Sequence, residues 1–525
     1  MLRATLYQQS LVEVDPDEIA LPLHSFERQL RDLVPRLFSV DDFRELHSAT
    51  DGAPTRCPLV LVAMLMLQFR FGVSDRVLYE RCTRDLGWRY AIGLNRGAFP
   101  PSTTTVVRFR TALRKLKGDS FVLDRVLAYA REQGLIDDVA LQGMDSTNTD
   151  CRGAVIDTFN LVATAIGRVV RRVACALGED AATLAARWGL SRYLARSIKG
   201  AAAIDWSDEA QRNKLLTEEI ADADRVRQLV ADASVTLPPD VHDAVALLVK
   251  VARQDVEQLA DGTWKIAHGT VKGRVISITD PDAGHGRKSA SSLFNGFKTH
   301  VVGTIESLFV TGIAITTAGT HDAKAAPGLI DQAAQRELKP EEALADAAYG
   351  TGENLRACAE RGVTVRTKMP STSAKTAIPK RDFTVDLAAS TVTCPEGHTA
   401  TDPTFAKDPD GGSEPVLRFK FDKAACNACP LKARCSAETR RNRGRRILLS
   451  AYEAEHQRTK AFNATERAKP LLRSRSAVER LISHLVRMGM RHARFFGMHM
   501  VQFQAYMTAA AYDLQRIITL SAKEA

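Results

Sequence analysis

The sequence predicts an α/β (α+β) protein in which an all-α domain precedes a mixed-sheet core that is interrupted by inserts. Strand-like runs lie at 139–145 and between 274 and 368, and helical patterns fill the chain between them. Residues 26–130 show helical patterns throughout, whereas Pro, Gly, Thr and Asp become frequent in 371–446. This order of elements is typical of a mixed sheet with helices packed on it.

Length and composition indicate several globular domains and a polyanionic partner. The chain has 525 residues, of which 45% are hydrophobic and 26% charged, enough to form sizeable cores. Its net charge of +10 favours nucleic acid as the partner. We find neither a signal peptide nor an apolar run long enough to span a bilayer, and the cysteines fit a reducing compartment. We therefore expect a cytoplasmic protein with no membrane partner.

The order of patterns divides the chain into segments with different expected structures. These are a helical N-terminal domain at 1–130, the first core strand at 137–150, a helical insert at 151–270, the continued core at 271–370, a Cys-rich β insert at 371–447 and C-terminal core helices at 448–525. The last two helices of the helical insert, Asp208–Ala233 and Pro239–Leu259, are long and charged. We expect them to form a hairpin-like arm that contacts a second copy of the chain.

The N-terminal domain has the pattern of a DNA-binding domain. Short helices are joined by polar turns, and a basic helix near the end contains Arg108 and Arg110. This pattern is compatible with a helix-turn-helix. A helical bundle with a solvated basic face has the same pattern, so both interpretations stay open; we favour DNA binding because of the carboxylates described next.

Three carboxylates lie on separate predicted elements. Asp145 ends the strand-like run Val139–Asp145 and precedes a predicted polar turn at 146–150, Asp346 ends a short apolar run, and Glu479 lies within a helical segment. Brought together, they would form an all-oxygen site suited to Mg²⁺ or Mn²⁺. Two such ions about 4 Å apart are suited to phosphodiester chemistry. Spacing along the chain alone does not show that the three residues meet.

Two other carboxylates compete for a metal ion. Asp280 and Asp282 flank a proline at the end of the strand-like run Arg274–Asp280. We expect them to bond the turn instead, because Asp commonly does so where a strand ends.

Basic residues near these carboxylates indicate phosphate binding. Arg475 and Arg487 lie four residues before and eight residues after Glu479, on one stripe of the predicted helix. Lys298 alternates with His300 along a predicted strand. That face of the strand either contacts DNA or lies on a solvated edge, and both interpretations stay open.

Four of the nine cysteines cluster in the β insert. Cys394, Cys426, Cys429 and Cys435 supply four soft ligands, as a closed structural zinc site requires. His398 could replace one of them, and four reduced thiols packed in a small insert are the alternative. The sequence therefore contains a candidate Zn²⁺ site with a structural role, since four protein ligands leave no open position.

Several stretches of the chain, in a fixed order, match a known family. They are Phe71–Arg76, Asp85–Arg89, Gly143–Thr147, Ile278–Lys288, Gly296–His300, Ala345–Gly350, Val478–Arg480 and Gly489–Arg494. On these stretches the chain resembles DDE transposases of bacterial insertion sequences, and it is most similar to the insertion-sequence group eleven-eighty-two.

The resemblance implies a ribonuclease-H-like catalytic core. Asp145, Asp346 and Glu479 would then be the metal-binding catalytic triad, the first two on strands and the third on a helix, with Mg²⁺ or Mn²⁺ as the cofactor. It also implies cleavage at the terminal inverted repeats and attack of the freed 3′-hydroxyl on target DNA. Such enzymes hold both element ends together, so a homodimer on double-stranded DNA at the bacterial nucleoid is expected.

The match to the family's Tyr, Arg, Glu and Lys pattern on the last helix is partial. Arg475 and Glu479 fit, whereas Leu472 takes the tyrosine position and Val486 takes the lysine position, with Arg487 beside it. Two other classes of protein stay open. A structure-specific nuclease of the same fold would show no strand transfer, and a non-catalytic DNA-binding repressor would bind without metal and would not cleave.

Overall fold

The computed structural model describes residues 20–46, 57–95, 97–233, 235–269, 271–289, 291–369, 378–407, 414–435 and 444–524. The α-helices are α1 (Phe26–Leu37), α2 (Pro58–Arg70), α3 (Asp75–Arg84), α4 (Leu86–Ala91), α5 (Thr103–Lys117), α6 (Phe121–Glu132), α7 (Thr158–Leu177), α8 (Ala181–Arg187), α9 (Ile198–Ala201), α10 (Glu209–Ala231), α11 (Pro239–Gln254), α12 (Ala326–Gln335), α13 (Gly352–Glu360), α14 (Lys423–Ala428), α15 (Lys432–Cys435), α16 (Glu453–Asn463), α17 (Ala468–Ser474), α18 (Ser476–Leu485) and α19 (Met498–Glu524). The strands are β1 (Leu141–Asp150), β2 (Val256–Gln258), β3 (Trp264–Ile266), β4 (Gly284–Ser289), β5 (Ser292–Thr304), β6 (Val310–Thr317), β7 (Glu342–Leu344), β8 (Thr364–Arg366), β9 (Thr384–Asp386), β10 (Thr391–Thr393), β11 (Thr399–Ala400), β12 (Thr404–Ala406), β13 (Val416–Lys420) and β14 (Arg446–Leu449).

A mixed sheet with the strand order β6-β5-β1-β7-β8 forms the centre of the protein. β5 pairs antiparallel with both β1 and β6, whereas β7 pairs parallel with β1 and with β8. β4 pairs with the first residues of β5, on the same edge as β6. The predicted α/β class with a ribonuclease-H-like mixed sheet is confirmed, as is the predicted hairpin that β5 and β6 form.

The predicted turn at 146–150 is wrong, because β1 continues to Asp150. Its pairing with β5 runs from Gln142 opposite Thr304 to Asp150 opposite Gly296. The hydroxyls of Thr149 and Thr299 are hydrogen-bonded at 2.6 Å inside the protein. A run of polar residues therefore forms a regular strand here, since each finds a polar partner or faces a cavity.

The predicted strand at 274–280 is also wrong. Val275, Ile276 and Ile278 are buried, which explains the strand-like pattern, but the segment joins no sheet. Its backbone forms isolated hydrogen bonds with other segments instead of a strand ladder: Val275 N donates to Gln254 Oε1 at 2.9 Å, and Ile276 O accepts from Ile156 N. An extended segment buried on both sides has the same apolar pattern as a strand.

Helix α18 lies close on the sheet because two paired strands have glycine at the contact. Gly143 of β1 is opposite Gly303 of β5. A Cβ atom on Gly143 would lie 3.1 Å from the Cβ atom of Val478, and one on Gly303 would lie 2.8 Å from Leu481 Cδ1. A larger residue in either strand would therefore push α18 away from the sheet.

The N-terminal helices and the sheet share one hydrophobic core. The apolar helix α2 is buried on every side and packs against α19, which also covers β6 and contacts α6. Among the described helices, none is by itself long and apolar enough to cross a bilayer; α2 and α3 reach that length only as a pair bent by 113°.

The helical insert forms a bundle with its own core. Helices α10 and α11 both pack on α7, and the buried side chains include Leu216, Val226 and Leu248. The two long charged helices thus lie against α7 and do not form a free arm, because one side of each is apolar. The β insert likewise has its own small core, around Phe383, Phe419 and Ile447.

Glu219 of α10 is a buried acid within this bundle. Neither of its carboxyl oxygens has a hydrogen-bond partner, and the residue is fully buried. Burial raises the pKa of Glu219 from its ordinary value near 4.5 to about 9. The folded protein therefore holds this proton at neutral pH, whereas the unfolded chain releases it.

We expect Glu219→Gln to stabilise the protein at pH 7, by on the order of 2 kcal/mol in free energy of unfolding. Because the raised pKa costs stability only as pH rises above about 4.5, the gain should vanish near pH 4. Urea unfolding of both proteins from pH 4 to 8 measures the difference. Glu209→Gln, at an exposed position on the same helix, is the control; an equal shift at every pH would contradict the interpretation.

Candidate active site

Asp145 lies in the middle of β1 and its side chain is mostly buried. Its Oδ1 accepts a hydrogen bond of 2.7 Å from the backbone N–H of Ser146, and its Oδ2 accepts one of 2.8 Å from Arg475 Nη1. Burial raises the pKa of Asp145, and the neighbouring Asp346 and Glu479 carboxylates raise it further, against the lowering effect of Arg475. The three predicted carboxylates are therefore close enough to influence one another.

Asp346 follows β7, as the sequence predicts. Gly143 of β1 lies opposite Leu344 of β7, so Asp145 and Asp346 both come two residues after a paired position on adjacent parallel strands. Asp346 Oδ1 accepts from the backbone N–H of Ala348 at 2.9 Å and so caps a short 3₁₀ turn. This turn fixes the direction in which the carboxylate leaves the sheet.

Glu479 is held over the sheet by α18. Its side chain is 52% exposed and receives a hydrogen bond from Arg475, one turn earlier. Asp145, Asp346 and Glu479 all line one cavity of about 540 Å³. Elements from three distant parts of the chain thus meet there.

The carboxylates fit a divalent cation by their chemistry, since all three offer hard oxygen ligands. In the described part of the chain, no group of three His, Cys, Asp or Glu side chains is already gathered tightly enough to hold a metal ion. At this site the Arg475 guanidinium lies between Asp145 and Glu479 and bonds both.

Asp322 is a fourth carboxylate of the cavity that sequence reasoning missed. It opens a 3₁₀ helix shortly after β6 and accepts from Lys298 Nζ at 2.7 Å and from Ser146 Oγ at 3.0 Å. Burial raises the pKa of Asp322, but the Lys298 ammonium lowers it below its ordinary value. An acidic residue at a helix start just after a strand is the signal that could have identified it.

Lys298 forms an ion pair within the protein and therefore does not fit the predicted role as a DNA contact. Its side chain is only 18% exposed, and Nζ donates to Asp322 and to the backbone oxygen of Thr320 at 2.9 Å. His300 shares this region as predicted, but it is fully buried, and burial lowers its pKa to about 4. This strand is therefore neither a solvated edge nor a free basic surface.

The predicted DNA-contacting arginines differ in exposure. Arg110 is 5% exposed and forms two hydrogen bonds with Asp75 of α3, at 2.9 and 3.1 Å, so it links helices and does not fit a DNA contact. Arg108 and Arg487 are exposed. Arg475 is bound between two carboxylates, as described above.

Further basic residues line the same cavity and were not predicted as site residues. They are Arg287 and Lys288 of β4 and Arg491 after α18. Arg491 Nη1 donates to the backbone oxygen of Asn148 at 3.0 Å, which ties the segment after α18 to β1. These cations surround the carboxylates, which is what a site for a phosphate backbone requires.

Asp280 and Asp282 do not line this cavity, but the backbone they bond is that of a distant segment and not that of the predicted turn. Asp280 Oδ1 accepts from Gly497 N at 2.9 Å, and Asp282 Oδ2 accepts from Met498 N at 3.0 Å. Both carboxylates therefore hold the start of α19.

The four clustered cysteines lie near one another in the β insert. Burial raises the pKa of Cys435, and the neighbouring thiols of Cys426, Cys429 and Cys394 add to this effect. Cys426 Sγ also accepts from the backbone N–H of Arg445 at 3.5 Å. Because the described side chains show no metal-holding group, the zinc site stays a prediction.

Comparison with known families gives two matches on this chain. A family described as Transposase DDE domain matches residues 393–518, and one described as Transposase domain (DUF772) matches residues 17–112. No curated protein and no solved structure matched. The matches agree with the resemblance seen in the sequence and indicate a DDE-type transposase of the insertion-sequence kind. They do not distinguish the particular group, and the first contains Glu479 but neither Asp145 nor Asp346.

We expect Lys298→Met to lower the free energy of unfolding by about 2–3 kcal/mol, because it leaves the Asp322 carboxylate mostly buried without its cation. Adding Asp322→Asn should recover most of this loss. Urea unfolding measures both variants. Unchanged stability together with weaker DNA binding would instead support the interpretation of Lys298 as a DNA contact.

Proposed function

We propose that this transposase binds the ends of its element, cleaves them by metal-dependent hydrolysis and joins the freed 3′-hydroxyl to target DNA. The observation that supports this most directly is the meeting of Asp145, Asp346 and Glu479 in one cavity on the ribonuclease-H-like sheet. Basic residues in the same cavity provide the counter-charge that a DNA backbone needs.

Asp145, Asp346 and Glu479 would hold the divalent cations, Mg²⁺ or Mn²⁺. Bound cations supply Lewis-acid activation of the attacking oxygen and stabilise negative charge on the leaving oxygen. In the first reaction water attacks phosphorus and a 3′-hydroxyl is released; in the second that hydroxyl attacks a target phosphodiester, and the target 3′-oxygen leaves.

The chain's own cations orient the DNA. Arg287, Lys288 and Arg491 line the cavity, so they can contact the phosphates on either side of the scissile bond. Arg487 is exposed and lies about two helical turns after Glu479. It adds a further positive charge to the basic residues of the cavity. Their charge attracts the backbone without reading its sequence.

The N-terminal helices are the proposed reader of the element end. Helix α5 presents Arg108 and Thr104 to solvent, while its other side packs through Phe109 and Leu113. The bidentate pair between Arg110 and Asp75 fixes α5 against α3. One face of α5 is thus held rigid and the opposite face is free to enter a groove.

A homodimer on DNA is part of the proposal, because two element ends must be held for joining. The helical insert is the proposed contact, since it has its own hydrophobic core and exposes Val249 of α11. Structural zinc in the β insert is likewise proposed, with Cys394, Cys426, Cys429 and Cys435 as its ligands.

We expect Asp346→Asn to abolish Mg²⁺-dependent cleavage of a labelled element-end duplex, by a factor of about 10³ or more, while leaving DNA binding intact. The substitution keeps the side-chain shape but removes the charge that would hold the cation. Cleavage and gel-shift assays on the same preparation measure both properties.

Asp282→Asn is the matched control, since this exposed carboxylate bonds Met498 N outside the cavity. Normal cleavage by Asp346→Asn would remove Asp346 from the active site. If the native protein binds the element end but does not cleave it with any divalent cation, the repressor hypothesis replaces ours; cleavage without joining would favour a nuclease.

We expect Arg108→Ala to weaken binding of an element-end duplex and to reduce the slope of log K against log salt by about 1, because one phosphate contact is lost. Arg227→Ala, an exposed arginine of the helical insert, is the control and should bind normally. Fluorescence anisotropy at several salt concentrations measures this. Equal effects of the two substitutions would place the DNA elsewhere.

A further inference from the structure

The side chain of Arg475 places a positive charge between two of the three carboxylates. Arg475 Nη1 donates to Asp145 Oδ2 at 2.8 Å, and its Nη2 donates to Glu479 Oε1. One planar guanidinium therefore connects a strand residue and a helix residue that are 334 positions apart in the chain. Its side chain is a quarter exposed, so a route to solvent is open.

The carboxylates need such a cation because they repel one another. Asp145, Asp346 and Glu479 lie around one partly buried cavity, and Asp322 adds a fourth negative group that Lys298 neutralises. Like charges brought together out of water cost free energy unless a cation separates them. Arg475 meets this need for Asp145 and Glu479.

We propose that Arg475 is the resident counter-cation of the active site: it occupies the space between Asp145 and Glu479 that a divalent metal ion takes, and metal binding displaces it. This inference rests on the proposed function, because it assumes that the triad binds metal. The displaced guanidinium remains beside the cavity, because its backbone does not move. There it can donate hydrogen bonds to a DNA phosphate.

The two roles of Arg475 predict opposite changes in one variant. Without metal, Arg475→Gln should lower the melting temperature by several degrees, because two clustered carboxylates lose their cation. With metal, the same variant should bind Mn²⁺ about tenfold more tightly, because no guanidinium has to leave. A purely structural arginine would weaken both properties.

The experiment is isothermal titration of Mn²⁺ into metal-free full-length protein, with thermal unfolding followed in EDTA and in Mn²⁺. The proteins are native, Arg475→Gln, Arg475→Lys, Asp346→Asn and Arg473→Gln. The lysine variant keeps the charge but can bond only one carboxylate at a time, so it should bind Mn²⁺ with intermediate affinity. Arg473 is exposed two residues earlier, and its substitution should change neither property.

The outcomes separate this inference from the proposed function. If native protein and Asp346→Asn bind Mn²⁺ equally well, the triad is not the metal site and the proposed function fails. If native protein loses its Mn²⁺ site with Asp346→Asn, but Arg475→Gln binds Mn²⁺ no more tightly than native, the counter-cation role is overturned. If Arg475→Gln does not fold, an affinity of Arg475→Lys equal to or below native also overturns it.

Discussion

Repulsion between clustered carboxylates is the constraint on which the arrangement of this active site depends. Asp145, Asp346, Glu479 and Asp322 line one cavity, and each is partly or mostly withdrawn from water. The protein offsets the repulsion with cations placed at fixed positions, Arg475 between two of the acids and Lys298 against Asp322. Basic residues farther out leave the centre acidic while making the rim attractive to a polyanion.

The sheet and helix α18 supply the geometry that this charge arrangement needs. Asp145 and Asp346 lie on adjacent parallel strands, so their separation is set by backbone pairing. Glu479 arrives from a helix, and the facing glycines Gly143 and Gly303 let that helix lie close on the sheet. Backbone contacts thus bring together acids that would otherwise move apart.

The inserts enlarge the chain without disturbing this centre. The helical insert follows β1 and returns before β4, and its own core of apolar side chains makes it a separate bundle. The N-terminal helices behave differently, because α2 and α6 share a core with α19 and the sheet. A DNA segment held by α5 would therefore be positioned relative to the catalytic cavity through rigid packing, and not through a linker.

The sequence by itself determined the fold class, the β5–β6 hairpin, the strand that delivers Asp346, and the approximate helices of the insert. These follow from local patterns, since apolar periodicity and turn residues act over a few positions. It misassigned 146–150 as a turn and 274–280 as a strand, because polar strands that line a cavity and buried extended segments break the usual patterns. The triad itself came from family resemblance, as no spacing rule connects residues 145, 346 and 479.

Only the tertiary structure decided which charged residues meet. It showed Arg110 buried against Asp75, Lys298 paired with Asp322, and Arg475 held between Asp145 and Glu479. A sequence shows that a side chain is charged, but exposure and partners depend on residues far away in the chain. The physical reason is that electrostatic interactions act through space, whereas sequence patterns report only neighbours along the backbone.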